Sequence, residues 1–191
     1  MTEPLPAGFA DPVHDSQRAF RALLDAMSHP GRIVTIADLT PPRPLHPAIA
    51  TVLLALVDHE TPLWLDPAAA AARPWITFHC GAPIVDNPGH AAFAMALSFP
   101  DLTRFHPGTH EEPETAATLI CQVACLNSGP SFRLSGPGLR EPATIQITGA
   151  PADFPALWAA NHASFPRGID LILCAHDRML ALPRTVMIQE I

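Results

Sequence analysis

Two arginines near the C-terminal end of the sequence are placed where they could hold an anion. Arg167 and Arg184 flank the stretch Ile169-Asp-Leu-Ile-Leu-Cys-Ala-His-Asp-Arg-Met-Leu-Ala-Leu182. In it, two short apolar runs, Ile169 to Cys174 and Met179 to Leu182, enclose a polar turn at Ala175 to Arg178, the pattern of a β-hairpin. If Cys174 opposes Met179, Ile169 opposes Arg184 and Arg167 falls near Val186. The two guanidiniums would then be diagonal neighbours on one face, roughly 7–8 Å apart at Cβ. A pair so placed could bind a phosphate or carboxylate bidentately. In this register Asp170 points to the opposite face and does not neutralise them. The competing role for each is a salt bridge or a cap on sheet-end carbonyls. A one-residue slip in register would separate the pair.

The elements that must carry these arginines are buried. Ile169, Leu171, Leu173, Leu180 and Leu182 alternate onto one face of the hairpin, and Ile172, Cys174, Met179 and Ala181 onto the other. Strands apolar on both faces belong in the middle of a sheet covered by helices on each side. Upstream, Asp15 to Ser28 reads as a helix with Phe20, Leu23, Leu24 and Met27 on its buried face, ended by His29-Pro30-Gly31. Arg32 to Ile36 is a short strand, Ala48 to Val57 a buried helix, and Pro62 to Leu65 a strand. Ile76 to Cys80 reads as another strand, and Ala91 to Ser98 as either helix or strand. Thr118 to Leu126 and Phe132 to Ser135 are strands, His106 to Glu114 is a polar surface loop, and Asp153 to Asn161 is a short helix. Helices alternate with strands but hairpins are frequent, which points to an α/β fold with a mixed sheet covered by helices. One domain spanning 1–191 fits the length, and no internal repeat is visible.

Other chemistry-bearing groups give weaker patterns. Ser135-Gly-Pro-Gly138 resembles a phosphate cradle, but Pro137 removes one donor and no clear helix follows, so a tight turn between strands is the better reading. His106-x-x-x-His110 with Glu111 is the densest set of metal-ligating residues, in a Pro-Gly loop that fixes no ligand geometry. Cys121 and Cys125 would lie about 13 Å apart on one strand face, too far to chelate one ion, and His79 and Cys80 would point to opposite faces. Asp58-His59-Glu60 could orient an imidazole, yet a polar turn explains it equally well. No serine sits in a Gly-x-Ser-x-Gly elbow. No metal and no cofactor is therefore expected.

Composition sets the outer limits. A net charge of −7 argues against a nucleic-acid face, which needs clustered positive charge. No stretch is apolar enough to span a bilayer, and Met1 to Asp15 lacks the basic end and apolar core of a signal peptide. A cytoplasmic location follows, in which the four cysteines (80, 121, 125 and 174) stay reduced. All 11 basic residues are arginine and tyrosine is absent. Without lysine there is no Schiff base, no P-loop lysine and no lysine general base.

The hairpin stretch from Phe165 to Thr185 closely resembles the H subunit of the bacterial carbon–phosphorus lyase core complex, the PhnH family. So do Phe20 to Arg32, Val52 to Leu65, Ala117 to Ile120 and Phe132 to Leu139, in the same order along the chain; Asp66 to Glu114 matches only loosely. The resemblance implies a reduced version of the pyridoxal-phosphate-dependent transferase fold. It also implies a homodimer that joins the G, I and J subunits in alkylphosphonate catabolism. With G, I and L, the family supports attack of an alkylphosphonate on the ribose C1′ of MgATP, giving a ribose 1-alkylphosphonate 5-triphosphate as adenine leaves. Pyridoxal chemistry is closed to this sequence, because the internal aldimine requires a lysine amine. The expected role is thus that of a subunit with no catalytic residue of its own and a possible phosphate or phosphonate ligand. The alternative is a stand-alone phosphate- or phosphonate-binding protein.

Overall fold

The computed structural model describes residues 5–36 and 39–191, so the first four residues of the acidic N-terminal stretch lie outside the described part. The expected hairpin forms in the expected register. Strands β8 (Asp170–Ala175) and β9 (Arg178–Leu182) pair antiparallel, with Cys174 opposite Met179 and Leu171 opposite Leu182. They sit inside a seven-stranded mixed sheet. Its other strands are β1 (Val34–Thr35), β2 (Leu63–Leu65), β3 (Ile84–Val85), β4 (Phe93–Ala96) and β5 (Thr118–Gln122), and the spatial order is β1-β9-β8-β5-β4-β2-β3. From β8 through β5, β4 and β2 to β3 all neighbours are parallel; the pairs β8–β9 and β9–β1 are antiparallel.

Both faces of this sheet are covered, as two-sided apolar strands require. On one face Met95, Ile120, Ile172, Cys174, Met179 and Ala181 pack under three helices, α1 (Pro12–Ser28), α2 (Pro47–Leu56) and α3 (Arg73–Cys80). The opposite face differs from the expected helical cover. Leu119, Leu171, Leu173, Leu180 and Leu182 pack against a second sheet of β6 (Ser131–Ser135), β7 (Ala143–Gln146) and β10 (Met187–Glu190), joined by α4 (Phe154–Ala163). A small antiparallel sheet with one apolar face can seal a larger sheet as well as a helix can. Phe132 and Trp158 both pack around Phe154 at this seam, and the Trp158 indole N–H donates to the Val186 carbonyl at 2.7 Å.

Two local expectations are corrected. Ile76 to Cys80 is the C-terminal part of helix α3, not a strand. Proline begins this helix and Gly81, at φ +69°, ends it, the asymmetry of helix termini. Buried Trp75, Ile76 and Cys80 share one helical face. In α1 the buried positions are Ala19, Leu23 and Ala26, whereas Phe20 and Leu24 are 46% and 53% exposed. Small residues on either side of Leu23 let α1 approach α2 closely, which rotates the larger side chains outward. Among the described residues no helix is long and apolar enough to cross a membrane.

Candidate functional site

The structure brings Arg184 to the hairpin's foot but gives it protein partners. The Arg184 side chain meets Asp170 through Nη2 at 2.6 Å and Nε at 3.2 Å, and donates from Nη1 to the Pro113 carbonyl at 2.7 Å. Its backbone N–H also donates to Asp170 Oδ1 at 2.8 Å. The expectation that Asp170 faces away from the arginines is therefore corrected. Strand pairing ends at Leu182, and Pro183 has no N–H with which to continue it. The chain turns instead, with Val186 N–H donating to the Pro183 carbonyl, so face alternation no longer applies beyond the strand and Arg184 swings back over Asp170. The expected pairing of Arg167 near Val186 does not form for the same reason.

Arg167 precedes β8 in the loop after α4. Its Nε is buried with no hydrogen-bond partner among the described residues. The loop is held in place around it. The Asn161 side chain bonds both the N–H and the carbonyl of Ile169, at 2.8 and 2.9 Å, and Gly168 N–H donates to the Pro107 carbonyl at 2.8 Å. Gly168 has φ +121° and a side chain there would meet the Asn161 carbonyl at 2.9 Å, so glycine is required. His162 Nδ1–H donates to the Arg184 carbonyl at 3.0 Å. One corner thus ties β8, the exit of β9, α4 and the loop at 106–117 together.

The remaining sequence candidates resolve into turns. His106 Nδ1 accepts from Gly108 N–H inside its own loop, and His110 is exposed. Among the described residues no three His, Cys, Asp or Glu side chains cluster closely enough to hold a metal ion. Asp58 accepts from the Glu60 N–H and the Thr61 hydroxyl, a self-contained turn between α2 and β2. Ser135 to Gly138 lies in the turn after β6. His79 sits on α3, where its Nε2 bonds the Pro6 carbonyl at 3.1 Å, and Cys125 falls beyond the end of β5. Burial pushes the Cys80 thiol up to about 12 and raises Cys121 and Cys174 further. The Ser128 hydroxyl, aided by the Asn127 backbone, lowers Cys125.

Sequence reasoning missed a histidine pair at the carboxyl ends of the parallel strands, where open α/β sheets commonly bind ligands. His176 opens the two-residue β8–β9 turn at φ +52°, a conformation that usually selects glycine. Its ring stacks on His46 with centroids 4.9 Å apart, and the His176 backbone N–H donates to His46 Nδ1 at 3.1 Å. His46 in turn donates its N–H to Gln122 Oε1 at 2.8 Å and lines a crevice of about 320 Å³ with Gln122 and Leu97. Burial, then the neighbouring His176 and Arg43, hold His46 below its ordinary value of 6.5. A positive φ in this turn leaves no pattern in side-chain types, which is why the pair was not legible.

Two outcomes are expected here. The unfolded chain protonates His46 near 6.5 and the folded chain only lower, so stability is undiminished above that pH and falls as pH drops through it. His46→Gln should flatten this decline in urea midpoints measured between pH 7.5 and 5. Arg184→Ala leaves the Asp170 carboxylate, 17% exposed, without its counter-charge. A stability loss of about 3 kcal/mol, at the lower end for a broken buried pair, should appear in the same denaturation assay.

Comparison of the sequence with known proteins identifies a family. The family model described as bacterial phosphonate metabolism protein (PhnH) matches residues 7–189. A Rhizobium meliloti (strain 1021) protein named alpha-D-ribose 1-methylphosphonate 5-triphosphate synthase subunit PhnH is 42% identical over 188 residues, 95% of this chain and 94% of that protein. A Stutzerimonas stutzeri protein, named as a candidate C-P lyase subunit, HtxG, is 33% identical over 177 residues, 90% of this chain and 85% of that one. With nearly its whole length matched by the family model, the chain belongs to the PhnH family of bacterial phosphonate metabolism proteins.

Proposed function

We propose that this chain is the H subunit of a carbon–phosphorus lyase system, supporting formation of ribose 1-alkylphosphonate 5-triphosphate from ATP and a phosphonate. The observation that carries this reading is the 42% identity to a synthase subunit across 94% of that protein. The stand-alone binding protein is the weaker reading, because both named relatives are themselves subunits. The work is cytoplasmic, where ATP is available.

The mixed sheet is read as a reduced pyridoxal-phosphate-dependent transferase fold, supported by the run of parallel strands with an antiparallel hairpin at one side. Its residues do not fit the cofactor. The sequence has no lysine to form the aldimine, so no step is assigned to pyridoxal phosphate.

Assembly is carried by surfaces rather than by a reactive centre. Val13, Phe20 and Leu24 on α1 are 74%, 46% and 53% exposed. With Gln17 and half-buried Met27 they follow the alternating four- and three-residue spacing of a coiled-coil seam. That face suits a second copy of the chain, giving a homodimer, while other surfaces meet the G, I and J subunits. At the hairpin's foot Arg184 is a structural clamp, and Arg167 remains the anion-binding candidate of the pair.

Three outcomes test this reading. Co-expressed with the G, I and J subunits, the chain should co-purify with them, and by itself it should release no adenine from ATP plus methylphosphonate; failure to co-purify, or adenine release by the pure chain, would sink it. The purified chain should sediment as a dimer that Phe20→Ser with Leu24→Ser converts to monomer. Calorimetry should show methylphosphonate binding weakened about tenfold by Arg167→Ala, the loss of roughly one charge-assisted contact; unchanged heats would make Arg167 structural.

A further inference from the structure

A second groove, remote in sequence from the hairpin's foot, brings two arginines and a histidine together. Two turns meet there. The first, His29 to Arg32, ends α1; the second, Gly136 to Arg140, follows β6. Both are held at close approach by glycine. A Cβ on Gly138 would meet Pro30 Cδ at 2.6 Å and the Ser28 carbonyl at 2.8 Å, and one on Gly31 would meet Leu134 Cδ1 at 2.6 Å. Gly31 N–H also donates to the Ala181 carbonyl of β9 at 3.2 Å. The turns are thereby fixed to each other and to the core, and they enclose a groove of about 560 Å³ lined by Arg32, Arg140 and His29.

The charges in this groove run against the chain as a whole, which carries −7. Arg32 uses one nitrogen, Nη1, on both oxygens of Asp25 at 3.0 Å, so Nε and Nη2 remain for another acceptor. The Arg140 guanidinium has no hydrogen bond or ion pair among the described residues. The side-chain hydrogen bonds of His29 run through Nδ1, to the Ser28 hydroxyl and to Asp25. Against these stand the carboxylates of Asp25 and, beside Arg140, the exposed Glu141. Both arginines are exposed along the groove, and planar guanidiniums match tetrahedral oxyanions bidentately. The groove is wider than one phosphate and falls within the range of small-molecule sites, about 300–1,000 Å³.

We propose that Arg32 and Arg140, with His29, form a binding site for a phosphorus oxyanion large enough to span both guanidiniums, a triphosphate chain rather than a single phosphonate group. The identity of the anion rests on the subunit reading above; the site itself rests on the groove. Calorimetry of the purified chain at low salt, with inorganic tripolyphosphate and separately with methylphosphonate, tests it. Tripolyphosphate should bind, and Arg140→Ala should weaken it at least tenfold. Arg133→Ala, which removes an exposed positive charge on β6, should leave it unchanged. Asp25→Asn, which takes the competing carboxylate from Arg32, should tighten it severalfold. Methylphosphonate binding with the same dependence on Arg140 would assign the site to a single oxyanion and overturn the triphosphate. No binding by the wild-type chain, or equal losses in the Arg140 and Arg133 variants, would overturn the site. Arg140→Ala should still co-purify with the G, I and J subunits. Loss of co-purification in that variant alone would make the groove a docking surface, whereas its loss in the wild type would instead remove the subunit reading.

Discussion

Two-sided burial of the β8–β9 hairpin is the constraint on which the rest of the molecule depends. Strands apolar on both faces cannot form a sheet surface, so a layer is recruited to cover each face. The helices α1 to α3 take the Ile172 and Cys174 side, and the small sheet with α4 takes the Leu171 and Leu173 side. The hairpin then sets the position of everything attached to its ends. Its turn carries His176 onto His46, its foot carries Asp170 to Arg184, and the Ala181 carbonyl of β9 anchors the Gly31 turn. The histidine pair, the Asp170–Arg184 clamp and the groove beside Gly31 are thus all tied to one buried hairpin.

Polar groups at those places divide by whether the fold has already satisfied them. Arg184 is engaged at Nε, Nη1 and Nη2, which makes it a tie between elements and leaves little of it for a ligand. Gln122 is similarly consumed, its carbonyl by His46 and its amide by the Pro44 carbonyl. Arg167 Nε stands apart from this pattern, because in a folded chain buried donors are nearly always paired, while the exposed guanidinium of Arg140 forms no ion pair among the described residues and is open to an anion. The proposed role in assembly and anion recognition calls on groups of this second kind, held by groups of the first.

Much of the architecture was legible from residue patterns. The register of β8 and β9, the facing sets on their two sides, and helices α2 and α4 were read within a few residues of their observed bounds. The failures have identifiable causes. In α3 the β-branched and aromatic residues Ile76, Thr77 and Phe78 outweighed the proline and Gly81 that bracket a helix. For α1 the helix is legible but its buried face is not: of Phe20, Leu23, Leu24 and Met27 only Leu23 is buried, and Ala19 and Ala26 decide which side packs. The hairpin register was extended past Leu182 to Arg184 and Val186, although Pro183 breaks the pairing and the chain goes on to pair β10 with β6. The short strands β3 and β7 lack enough length for a two-residue period to stand out.

The sequence by itself determined the chemistry that is closed and the core that must exist. A chain without lysine cannot form an aldimine, and alternating apolar residues on both faces of a hairpin demand two covering layers; both follow from residue identity alone. Which polar groups meet was decided only by the tertiary structure. Asp170 reaches Arg184 because pairing stops at Pro183, His46 lies under His176 because the turn adopts a left-handed backbone, and Arg32 shares a groove with Arg140 because two glycines let distant turns touch. Such encounters depend on where strands end and how closely backbones approach, and neither quantity is carried by the period of a sequence pattern.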